Sequence, residues 1–191
     1  PAETETEGVV GGVRVGEETA SRLRRGGTSR GPYLNRADLP GYLETLAEVL
    51  IAIVGSGHPL NIDGIGGGAA VTTKVAMLSK SQDPWADVDY FFAQVSVEDK
   101  LVDFKPTCGN ILTGVGPAAI EMGLVEAREG GTQVNILAVN TQASVAAVSQ
   151  THGRRIRYED GARIDGVPGT SAPIAVQFME TVGGVTGAFL P

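Results

Sequence analysis

The sequence predicts an α+β protein: a highly twisted, mostly antiparallel sheet or barrel wrapped around a central buried helix, with one outer amphipathic helix. Three observations lead there. Many short runs of strand-forming residues alternate with Gly, Asn, Asp and Ser turn signals, while only two stretches carry helical periodicity. One of those two is apolar nearly all round, so it belongs inside a fold. A sheet curling around it would remove edges and bury the apolar surface.

The central helix is expected within Lys105–Val125, KPTCGNILTGVGPAAIEMGLV, which holds the single cysteine. Thr107 is the expected N-cap, with Cys108, Gly109 and Asn110 in the first turn, where backbone N–H groups lack intrahelical partners and attract anions. Ile111, Leu112, Val115, Ala118, Ala119 and Met122 follow helical spacing. Gly114 and Gly116 are small enough for strands to approach closely, and Gly123 is the expected stop. Pro117 lacks an N–H, so a kink or break is expected near the middle.

In chain order, residues 1–18 hold five glutamates and Arg14 without periodicity and read as a weakly ordered arm or a poor first strand. Residues 19–191 read as one domain. A strand from Ala20 to Arg25 turns at Gly26-Gly27 and continues through Thr28, Ser29 and Arg30 to Tyr33-Leu34. Asp38 is the expected cap of the outer helix, whose stripe is Leu43, Leu46, Ala47, Leu50, Ile51 and Val54. The loop GSGHPLNIDGIGGG (55–68) leads into strand-like residues 69–79. Further strands are expected at Val88–Val97 and Leu101–Phe104, at Thr132–Val139 and Ala143–Ser149 around an Asn140-Thr141-Gln142 turn, and at Arg155–Tyr158 and Ile174–Met179.

Composition narrows the function classes. The net charge of −7, four units of it from residues 1–18, argues against nonspecific nucleic-acid binding. No run approaches the roughly 18 apolar residues of a membrane span, and no secretory leader is recognisable, so a soluble cytoplasmic protein is expected. One cysteine and two histidines exclude an internal disulfide and disfavour a metal site; no metal is expected. Gly64, Gly66 and Ala69 match a dinucleotide fingerprint formally, but the strand–turn–helix context is missing. Lys74 follows Gly68 too late for a Walker loop. The cluster Arg22, Arg24, Arg25 and Arg30 reads equally as a site for an anionic small molecule or as a solvated strand edge. For Lys74, alternation puts Val71, Thr73 and Val75 on one face and Thr72, Lys74 and Ala76 on the other, the lysine facing water or a cleft.

Several stretches together resemble a known family: RGGTSRG (25–31), IDGIGGG (62–68), TTKVA (72–76), DYFFAQV (89–95), PTCGNILTGVGPAAIE (106–121) and GVPGTSAPI (166–174). They look like the 2-methylaconitate cis-trans isomerase and 4-oxalomesaconate tautomerase family, in order and spacing, over about residues 21–191. The resemblance implies a diaminopimelate-epimerase-like fold, in which two similar halves each wrap a sheet around a central helix and the active site lies between them. This chain resembles the first half alone. The family's activity is cofactor-independent allylic proton transfer in a small unsaturated di- or tricarboxylate. For Lys74 the resemblance implies an acid/base role, and for Cys108 a second catalytic role, as a proton donor. Gly109 and Asn110 would offer N–H groups to a substrate carboxylate, and Thr28, Ser29, Gly66, Gly67 and Gly68 would line the same pocket. Arg30 stands where the family leads us to expect lysine, and Thr73 where it leads us to expect serine.

The chemistry suits these residue types. Removing a proton vinylogous to a carboxylate leaves a dienolate, which needs a base in reach, donors at the oxyanion and a proton returned to another carbon. Burial and nearby arginines favour a neutral lysine, whereas bound carboxylates favour a charged one. A thiol heading a helix is expected to be more acidic than a free one. Two alternatives stand beside the isomerase: a racemase or epimerase of the same fold, whose second thiol would have to come from the other half, and a non-catalytic half-domain binding a carboxylate or a partner. The surface that a second half would cover predicts a homo-oligomer or another association there.

Overall fold

The computed structural model describes residues 9–10, 13–14 and 21–179. Val9–Val10 (β1) and Val13–Arg14 (β2) pair antiparallel, and the remainder of the expected arm lies outside the described residues. Ser21–Gly26 (β3) and Ser29–Asn35 (β4) form the expected hairpin. Then come helix α1 (Leu43–Val54), strands β5 (Lys74–Lys80), β6 (Val88–Val95) and β7 (Val102–Asp103), and the short helices α2 (Gly109–Leu112) and α3 (Val115–Glu121). The chain continues with β8 (Thr132–Ala138), β9 (Ala143–Ser149), β10 (Thr151–His152), β11 (Arg155–Ile156) and β12 (Ile174–Phe178).

Eight strands share one sheet in the order β12-β9-β8-β6-β5-β4-β3, with β7 added to β6. Pairing is antiparallel except at β4–β5 and β6–β8. Alternation divides the side chains between two cores. Tyr33, Ala76, Leu78, Tyr90, Phe92, Val134, Ile136 and Val145 face α2 and α3. Leu34, Val75, Met77, Ala93 and Val95 face α1, which returns Leu46, Leu50 and Val54. The sheet stays open, since no pairing joins β3 to β12 among the described residues. The central helices occupy that seam: a Cβ on Gly26 of β3 would lie 2.1 Å from Asn110 O, and one on Gly109 would lie 3.9 Å from Phe178 Cζ of β12.

Three local expectations are corrected. Asp38 does not cap α1; it ends a 3-10 turn, Arg36–Asp38, whose cap is Asn35, and α1 begins after Tyr42 without a side-chain cap. The strand-like reading of 69–73 gives way to a 3-10 turn, Ala70–Thr72, so β5 starts at Lys74. The central helix is two helices. It breaks at Thr113-Gly114 and not at Pro117, which sits in the first turn of α3 where a missing N–H is harmless. Tyr33 causes the break: its hydroxyl donates to Ile111 O at 2.5 Å, and a Cβ on Gly114 would come within 2.3 Å of that oxygen. Gly123, at φ 70°, ends α3 as expected.

The glycine-rich loop is tied to the end of α1. Asn61 is 1% exposed and left-handed at φ 49°; its Nδ2 donates to Gly55 O, His58 O and Val97 O, and its Oδ1 accepts from Gly68 N at 2.9 Å.

Candidate active site

Strand phase puts Lys74 on the face of the sheet that packs against α2 and α3. It pairs across β6 with Gln94, as Ala76 pairs with Phe92 and Leu78 with Tyr90, and the latter four are buried in the helix-side core. Lys74 Nζ donates to Gln94 Oε1 at 2.6 Å and lies 5.5 Å from the centroid of the Phe92 ring, within cation–π range. From the neighbouring strand, a Cβ on Gly31 would overlap the Lys74 carbonyl oxygen at 1.7 Å, so only glycine permits the two main chains to approach this closely.

Cys108 is half-buried against the same core. It, and not Thr107, occupies the N-cap of α2, at φ −137°. Its carbonyl accepts a hydrogen bond from Tyr90 Oη at 3.3 Å, and Tyr90 stands 6.3 Å from Phe92, ring centroid to ring centroid. Phe92 and Tyr90 thus lie side by side, the one next to the Lys74 amine and the other bonded to the Cys108 main chain. Burial pushes the Tyr90 phenol far above the ordinary tyrosine range, with Cys108 beside it adding to the shift. Burial does the same to Tyr33, against a smaller opposing effect of Arg24. Both phenols are hydrogen-bond donors at neutral pH.

The other expected site residues divide into two groups. Asn110 and Thr28 meet directly, Nδ2 donating to Thr28 Oγ1 at 2.8 Å, and Ser29 is buried on the helix-side face next along the chain. The N–H groups of Gly66, Gly67 and Gly68 are bound within the protein, to Val54 O, Thr72 Oγ1 and Asn61 Oδ1. These glycines are small because Val54, Asn61, Pro59 and the Arg30 guanidinium press on them.

The four arginines do not converge on one point. Arg22 and Arg24 bind the Glu121 carboxylate, Arg24 also reaching the Tyr158 hydroxyl, and Arg25 donates to Gly27 O. Arg30 alternates with Ser29 and Gly31, so it points to the opposite face from Lys74. A cavity of about 80 Å³ lies between β3 and β12, lined by Arg24, Ser149, Tyr158 and Ile174 among others, and neither Lys74 nor Cys108 lines it.

Sequence reasoning missed Gln94, Tyr90 and Tyr33. The alternation in DYFFAQV places Tyr90, Phe92 and Gln94 on one face, but only the β5–β6 register shows that this face is shared with Lys74.

This helix-wedged open sheet defines a class. It superposes on the crystal structure of methylitaconate-delta-isomerase with a TM-score of 0.84 at 41% identity, covering 88% of this chain and 43% of that one. The fold is one half of the diaminopimelate-epimerase type. The chain belongs to the family described as PrpF protein, which it matches over residues 17–191. It is 49% identical to (4E)-oxalomesaconate Delta-isomerase of a Novosphingobium species, covering 87% of this chain and 47% of that protein. To 4-oxalomesaconate tautomerase of Pseudomonas putida it is 48% identical, with 88% and 47% covered. The chain thus spans about half the length of the curated relatives it matches. Among the described residues, no helix is long and apolar enough to cross a membrane.

Proposed function

We propose that residues 19–191 are the N-terminal half of a two-domain, cofactor-independent isomerase that moves a proton along the allylic system of a small unsaturated di- or tricarboxylate. Substrates of the 4-oxalomesaconate and 2-methylaconitate type follow from relatives named for oxalomesaconate and for 2-methyl-aconitate, the latter 33% identical. The observation that supports the reading is that Lys74 and the Cys108 N-cap both border the helix-side core of the sheet, Lys74 beside Phe92 and the Cys108 main chain bonded to Tyr90.

In this reading Lys74 Nζ takes the proton from the allylic carbon, and the electron pair left behind delocalises into the conjugated carboxylate or ketone. Cys108 Sγ–H then delivers a proton at the far end of the system. One C–H bond breaks and another forms, and the double bond shifts without net oxidation. Thr28, Ser29, Gly109 and Asn110 hold a substrate carboxylate at the head of α2. Gly66, Gly67 and Gly68, whose N–H groups are already bound to Val54, Thr72 and Asn61, contribute to the pocket by the shape of their loop alone. The second half supplies the opposite wall, and a cytoplasmic setting with association through that surface completes the proposal.

The test is solvent deuterium incorporation into an unsaturated tricarboxylate, followed by ¹H NMR with the full-length protein that contains this segment. Lys74→Met abolishes exchange, and Cys108→Ser reduces it less. Undiminished exchange in Lys74→Met sinks the proposal, and equal losses overturn the ranking of the two groups.

A further inference from the structure

We propose that Gln94 is the positioning residue for the Lys74 amine, chosen as a neutral acceptor so that the amine is held without being locked in its charged form. The inference rests on the reading of Lys74 as the base. The orientation of the Gln94 amide follows from its partners. Nε2 lies 3.1 Å from Ala70 O and 3.2 Å from Val95 O, and carbonyl oxygens only accept, so the NH₂ group faces them and Oε1 faces Lys74. A third contact agrees: Thr73 Oγ1 gives its hydrogen to Val95 O at 2.6 Å and therefore accepts from Gln94 Nε2 at 3.2 Å. Thr73 is fully buried, and this is a task that serine, the residue expected there, could also perform.

A neutral amine has two N–H bonds and one lone pair. Committing one N–H to Gln94 over the Phe92 ring limits the lone pair to two directions, which orients the amine as a base requires. Fold stability alone would favour glutamate here, because an opposite-charge pair across two strands is stabilising. Among the described residues no carboxylate forms an ion pair with Lys74. The other titratable groups on this face are Asp103, the register partner of Gln94, whose Oδ1 accepts from Lys105 N, together with Lys80 at the far end of β5, Cys108, Tyr33, Tyr90 and the Arg22–Arg24–Glu121 cluster; the sole hydrogen-bond partner of Nζ among the described residues is Gln94.

The test needs no substrate and uses the 191-residue chain. An amine-directed acylating reagent is applied near neutral pH, and modification of Lys74 is followed by peptide mass spectrometry against exposed Lys80 and Lys105 as internal references. Gln94→Glu slows Lys74 acylation about tenfold or more, since an adjacent carboxylate favours the unreactive charged amine. Gln94→Met, similar in length and without an acceptor, speeds it about threefold, the lower range of one hydrogen bond. Gln94→Met also serves if Gln94→Glu does not fold. Rates within about twofold of the parent chain, in whichever variants fold, overturn the inference. Because isomerisation is not measured, an active Lys74→Met enzyme would count against the catalytic reading without altering this result.

Discussion

The two faces of the sheet are covered by helices of opposite kinds. Helix α1 is regular over 12 residues and packs on the sheet through apolar contact, with Leu46, Leu50 and Val54 on one stripe. On the other face the helical residues are split into four in α2 and seven in α3, interrupted at Gly114 by a tyrosine hydroxyl and bordered by glycines at which strands press in. The first helix is shaped by its own periodicity, the second by what surrounds it. The candidate chemistry lies with the second, where the shape of the main chain is dictated from outside and a half-buried cysteine is held at a helix start.

Substitutions sharpen that contrast. The largest effect is expected from Leu50→Ala, about 3 kcal/mol lost through a cavity under α1, measured by urea denaturation. On the opposite face Gly114→Ala adds one carbon and costs about 2 kcal/mol, because its Cβ has no room beside Tyr33. Tyr33→Phe in the same chain recovers part of that loss, and a cost under about 0.5 kcal/mol for Gly114→Ala alone would break the comparison.

A smaller effect is expected in alkali. Burial raises the phenols of Tyr33 and Tyr90, and Tyr158 is pushed up to about 12, by burial first and then by its bond to Glu121. Folded-state values above those of the unfolded chain contribute stability that is complete below pH ~10 and is lost as pH rises through the folded values. Denaturation midpoints should hold to about pH 9 and fall between ~10 and ~12. A flat profile there would contradict the burial of these rings.

The smallest effect is expected at Ser149. Its hydroxyl is buried in the seam cavity without a hydrogen-bond partner among the described residues, so Ser149→Ala is neutral or stabilising by up to about 1 kcal/mol. A loss of that size would mean that the hydroxyl is bonded in solution.

The same contrast explains what could be read from the sequence. The stripe of α1, the Gly123 stop of the central helix and most strand runs are local patterns, and they were legible. So was the phase of Lys74, because alternation needs only neighbouring residues. The break at Gly114 and the packing around Gly66–Gly68 were not, because each depends on a residue outside the local pattern: Tyr33 for the break, Asn61 and Arg30 for the glycines. Asp38 misled for a related reason. A good capping residue was present, but Asn35 had already started a tighter turn ahead of it.

Asn61 has a mechanical consequence. One shielded amide joins the end of α1, the His58 turn, Val97 just after β6 and the glycine loop, using three donor contacts and one acceptor. Together with the main-chain bonds from Gly66 N to Val54 O and from Ile65 N to Ile53 O, it makes the loop and the helix end one stitched unit, so that neither can shift without the other.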